Sequence, residues 1–158
     1  MGLTRFQPSR RAGGPPEVKE FDIQASATFP HGAPMQRDTV ESDIEEHAGG
    51  STVTGIIGVS MFGVSSGVPA AKGGTAFGTR VQVAVARQDT EFAGLMINSG
   101  TIQTPAAGND GTQYGMIKVN SEWYVDEADT SNVVLTVTGF DANTKIVFFK
   151  FLASAIAD

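Results

Sequence analysis

A chain of 158 residues with 11 Lys and Arg, 17 Asp and Glu and no cysteine has room for one domain with its own core. The missing cysteine excludes disulfides, thiolate nucleophiles and cysteine-ligated zinc. The net charge of −6 argues against a nucleic-acid partner, and no apolar run approaches the roughly 20 residues of a membrane helix.

Residues 1–17 are the first predicted unit. They hold Pro8, Gly13, Gly14, Pro15 and Pro16 and show no apolar period, which suggests an extended arm before a β domain spanning 18–158. The opening Met-Gly-Leu-Thr-Arg-Phe-Gln-Pro has no apolar stretch after its charges and does not read as a signal peptide, so a soluble protein is expected. Up to Lys19 the cations Arg5, Arg10, Arg11 and Lys19 face a lone Glu17. Residues 38–46 then crowd Asp38, Glu41, Asp43, Glu45 and Glu46 together. Both clusters suit solvated surface, or a basic arm and an acidic patch that meet partners of opposite sign.

From Val18 onward strand signals follow one another. Phe21 and Ile23 alternate with Asp22 and Gln24, and 52–62 is β-branched with interspersed glycines. Thr39–His47 carries the best helical signal, one or two turns, although Val40 and Ile44 fit a strand equally well. The segment 65–79 is a long loop. Val81, Val83 and Val85 alternate with polar or small residues, and Phe92, Gly94 and Met96 continue in the next strand. Asp110-Gly111 predicts a hairpin between 101–104 and 114–119. Trp123 and Val125 share one strand face, and Val133, Leu135 and Val137 alternate again. The last segment, 145–152, is apolar on both faces except at Lys150, as in a strand covered from both sides. The expected fold is all-β: a single antiparallel β-sandwich or β-barrel, jelly-roll-like, with little helix.

The chemistry-bearing motifs are sparse. Gly63-Val-Ser65-Ser-Gly67 matches a nucleophile elbow, but Pro69 and the glycines at 73–74 oppose the helix that motif needs, and both histidines precede the serine. His31 and His47 lack the spacing of a paired metal site and are expected to tolerate replacement by Gln. A cation shared between subunits through the carboxylates stays open. Lys72-Gly-Gly-Thr75 lacks the glycine of a phosphate loop. Trp123-Tyr124 suits a buried core position or a stacking platform for sugars. No enzyme activity and no cofactor is expected.

The run Ala27-Thr-Phe-Pro-His-Gly-Ala-Pro-Met35, the acidic segment after it and Gly55-Ile-Ile-Gly-Val59 resemble the decoration (cement) proteins of tailed bacteriophage capsids. The segment 78–86 and the apolar C-terminal strand fit the same layout. The resemblance implies a β-sandwich or β-barrel on the outer surface of the virion that binds the major capsid protein and stabilises the shell, without nucleic-acid or membrane contact. Charged residues are only 18% of the chain, which suits a surface that neighbours cover. The partner-binding candidates are Arg5, Arg10 and Arg11 in the arm, Asp38, Glu41 and Asp43 in the acidic segment, and Phe148 in the last strand. Self-association as a homotrimer is expected, because one small sheet covers only one face of 145–152. A carbohydrate-binding or adhesion module is the alternative.

Overall fold

The computed structural model describes residues 5–9, 11, 16–24, 26–38, 43–69 and 80–157. Among them the only helical element is a 3-10 turn at Ala107–Asn109, and the rest is strand and loop. The all-β expectation holds.

Two sheets share one core. The larger is built on β9 (Phe92–Asn98), which pairs with β14 (Ile146–Phe151) and with β12 (Glu122–Asp126). β12 pairs with β11 (Gln113–Val119), β11 with β13 (Leu135–Asp141), and β13 with β14. The pairing circuit β9-β12-β11-β13-β14-β9 therefore closes on itself, antiparallel except at β9–β12. Closure leaves these five strands without a free sheet edge. The second sheet has the order β2 (Val18–Asp22), β8 (Arg80–Val85), β5 (Ile56–Ser60), β3 (Pro34–Arg37), β4 (Ile44–Glu46). Its ends approach each other through a bridge between Ile23 and Ile44 and the Gln24 N–H donating to the Ile44 carbonyl. A small hairpin, β6 (Val64–Ser65) with β7 (Val68–Pro69), completes the described fold with β1 (Gln7–Pro8) and β10 (Thr101–Ile102), which both add to β9.

Alternation explains which faces meet. Val81 and Val83 are buried while Arg80 and Gln82 are exposed, and Trp123 and Val125 are buried between half-exposed neighbours. On β14, Val147, Phe149 and Phe151 point into the core and Ile146, Phe148 and Lys150 stay partly exposed. Phe92, Phe149 and Phe151 stack edge-on and face-on within 6.0 Å of one another, an aromatic knot in the core.

Of the two readings of Thr39–His47, the strand is found at Ile44–Glu46, because Ile44 fills the core beside Ile23 and β3 offers its ladder; residues 39–42 lie outside the described residues. Two sequence expectations need correction. Asp110-Gly111 does turn, with φ of 76° at Gly111, but its flanks do not pair: β10 (Thr101–Ile102) folds back on β9, and the Gly111 N–H donates to Val137. The second concerns 1–17. Phe6 is fully buried, and β1 (Gln7–Pro8) pairs with Phe92 and Ala93, so residues 5–9 and 11 join the core fold. A single buried aromatic has no period and leaves no alternation in the sequence.

The β11–β12 turn carries a correctable strain. Asn120 and Ser121 both have positive φ, 50° and 64°, the geometry that favours Asn-Gly. Ser121→Gly is expected to raise stability by about 0.5–1 kcal/mol, read as a higher denaturation midpoint at unchanged slope.

Candidate functional site: the seat of the N-terminal segment

A densely bonded polar cluster lies where residues 5–9 and 11 meet the closed barrel. Phe92 pairs with Pro8 on one edge and Phe149 on the other, so β1 and β14 flank β9. The Ser9 N–H donates to the Glu91 carbonyl at 2.8 Å, which makes 9–91 a hydrogen-bonded pair and 8–92 a non-bonded one. Pro8 therefore stands where the ladder asks no N–H of it.

Glu91 anchors the cluster. Its side chain is 5% exposed, and it accepts hydrogen bonds from Ser9 Oγ at 2.8 Å, Arg11 Nε at 3.2 Å, Arg11 Nη2 at 2.8 Å and Thr138 Oγ1 at 2.7 Å. Thr138 is available because the β13–β14 register shifts between Val137 and Gly139; such a bulge re-aims a side chain. The Thr138 carbonyl also accepts from Arg11 Nη2 at 3.1 Å. Burial pushes the Glu91 carboxyl up, but the donors Arg11, Thr138 and Ser9 outweigh it and hold the group at about 2. The guanidinium, fixed in this fork, lies over the outward ring of Phe148, 4.3 Å from its centroid. Arg11 and Phe148, separate candidates in the sequence, thus form one surface unit.

The other candidates are placed apart from it. Arg5 donates to His31 Nδ1 at 2.8 Å, and burial together with the Arg5 charge lowers the His31 pKa. Asp38 and Asp43 frame the β3–β4 turn, the Asp38 N–H donating to the Asp43 carbonyl at 2.8 Å and the Asp38 carboxylate accepting from Gln24 at 3.0 Å. Arg10 and Glu41 lie outside the described residues. The acidic run is not one solvated patch. Glu45 accepts from Gln36, while Glu46 accepts from Trp123 Nε1 at 2.7 Å and from Lys118 at 2.8 Å.

Comparison with known protein families and with curated proteins finds no match.

Trp123 is 3% exposed, so its ring is core and not an open stacking face. A cleft of about 410 Å³ beside it is lined by Glu46, His47, Lys118 and Asp129 among others. Its polar groups hold the fold. Asp129 accepts from the backbone of Ser131 and Asn132, and those bonds bring its pKa down against the effect of burial. Ser65 sits on a two-residue strand followed by a turn and β7, so the strand-to-helix geometry of a nucleophile elbow is not formed. Among the described residues no three His, Asp or Glu side chains gather as a metal site.

His47 also departs from expectation. It is 1% exposed; Nδ1 accepts from the Gly49 N–H at 3.0 Å and Nε2 lies 2.9 Å from the Thr54 carbonyl, so a neutral ring with its proton on Nε2 satisfies both partners. Burial lowers its pKa more than the Thr54 bond raises it. His47→Gln is expected to cost about 1–3 kcal/mol, since an amide cannot reach both backbone groups. Equal melting of variant and parent would refute this.

Sequence reasoning missed Phe6, Ser9, Glu91 and Thr138. Glu91 is one acid in a Gln-Asp-Thr-Glu stretch. Only its position directly before an apolar strand set it apart.

Proposed function

We propose that the chain is a virion structural protein that binds the outer surface of a capsid shell, through the major capsid protein, and stabilises it. The carrying observation is the Arg11–Phe148 unit on the barrel wall. An outward aromatic ring, flanked by Ile146 and Lys150, is capped by a guanidinium that a buried carboxylate holds still. Aromatic and arginine side chains are the residue types that anchor protein interfaces, and a side chain already fixed loses little entropy on binding. The likeness of 27–59 to decoration proteins and the low charge content support the same reading. Self-association as a homotrimer belongs to it, because within one chain the outward face of β14 is only half covered.

The test is co-sedimentation with shells assembled from the major capsid protein encoded in the same genome. The parent should saturate them stoichiometrically, with affinity falling as salt rises. Phe148→Ser should weaken attachment at least tenfold while thermal melting stays near the parent's. Shells that sediment without the parent chain would refute the reading.

A further inference from the structure

Residues 5–11 occupy the barrel as a ligand occupies a site. At Gly94 a Cβ would stand 2.6 Å from the Phe6 ring, and at Gly139 it would stand 2.8 Å from Arg11 Cζ. The groove is therefore carved to this segment's own side chains, with Glu91 as its counter-charge. Yet only Gln7 and Pro8 pair as strand, so few ladder hydrogen bonds oppose local opening of the segment.

We propose that this groove is an exchange site between copies: residues 5–11 of one chain fill the groove of a second copy. An empty groove is costly, since it would take Arg11 from the Glu91 carboxylate and open a hole against Phe149. A departing segment must be replaced by one of the same shape and charge, and another copy supplies it. An exchanged pair keeps the contacts of the single chain, so only the connector and the association itself separate the two arrangements. The connector sequence 12–17 suits this. Its Pro15-Pro16 pair favours extended backbone, and six extended residues reach on the order of 20 Å. The inference concerns the chain alone in solution and does not depend on the shell reading.

Charge reversal tests it. Arg11→Glu and Glu91→Arg each place like charges together, and each variant alone should melt on the order of 10 °C below the parent. In an exchanged pair of the two variants, every introduced carboxylate meets an introduced guanidinium and every native group meets its native partner. Refolded together, they should recover most of the lost melting temperature and elute as dimer or larger. A mixture that melts and elutes as its separate components overturns the proposal.

Where either variant fails to fold, the cysteine-free chain offers a second measurement. Gln7 and Ala93 are cross-strand partners, so Gln7→Cys with Ala93→Cys in one chain should close an internal disulfide. Chains carrying one substitution each, mixed and oxidised, should give the covalent pair joined through positions 7 and 93, identified by peptide mass. Internal closure in the double variant with no such pair in the mixture overturns the proposal equally.

Discussion

Phe6→Ala is expected to cost about 3–5 kcal/mol, a large share of the roughly 5–15 kcal/mol that holds a domain together. The ring is fully buried, 4.9 Å from the Phe149 centroid at 61°, and it sits over Gly94 with no side chain between. Truncation would leave a void beside the aromatic knot of β9 and β14, and those strands have little room to collapse because the sheet is closed. Deleting residues 2–17 should cost at least as much, since it also removes the β1 pairing and leaves Glu91 buried without its guanidinium. The sequence alone suggests instead an extended arm outside the β domain. Denaturant unfolding decides between them. A loss of less than about 1 kcal/mol of unfolding free energy in Phe6→Ala would show that the segment contributes little to the core. Gly94→Ala gives an independent check, because its methyl must displace the same ring.

The fold was legible where periodicity carried it. Val81 and Val83, Trp123 and Val125, and Leu135 and Val137 alternate with polar or small residues, and each pair lies inward as expected. The C-terminal strand was legible as two-faced, but the cover on its outer ring was not. Arg11 lies more than 130 positions away in sequence, and an arginine in a proline-rich stretch gives no sign of which ring it will meet. The same limit applies to Glu46, which looked like one acid of a solvated run and instead ties β4 to Trp123 and Lys118 on β12 and β11. Alternation reports which face of one strand is apolar. It does not report which distant strand supplies the polar partner, and the seat of residues 5–11 is made almost wholly of such partners. The closed circuit of the larger sheet was hidden for a related reason. It depends on β9 pairing along both edges, one of them in parallel with β12, and no local pattern encodes a neighbour across the barrel.

Acid should loosen the seat of residues 5–11 in a window set by Glu91. Its carboxyl has a value of about 4.5 when unperturbed and about 2 in the fold. A depressed carboxylate binds fewer protons folded than unfolded, so its contribution is fully present above about pH 4.5 and is lost as pH falls towards 2. The contribution at neutral pH is on the order of 2–3 kcal/mol, taken at the lower end because the Arg11 side chain is 42% exposed and screened by water. His47 begins to contribute to the pH dependence at a higher pH. Its pKa is lowered by burial, so what its neutral ring contributes is present above about 6.5 and begins to fall below that. Asp129 and Glu17 are also held low and lose stability in the same acid range, so the Glu91 effect is read as the difference between parent and a Glu91 variant in the change from pH 5 to pH 2.5. Glu91→Gln should be less stable than the parent at pH 7, because Arg11 and Thr138 lose a charged acceptor, and it should lose about 2 kcal/mol less than the parent between those two pH values. Parallel pH curves for parent and variant would mean that the Glu91 carboxylate titrates as it does in water, and that the Arg11 fork does not hold the segment. A variant curve that flattens only below pH 4.5 would place the latch at this one carboxylate, with Ser9, Arg11 and Thr138 as the groups that make its ionised form worth burying.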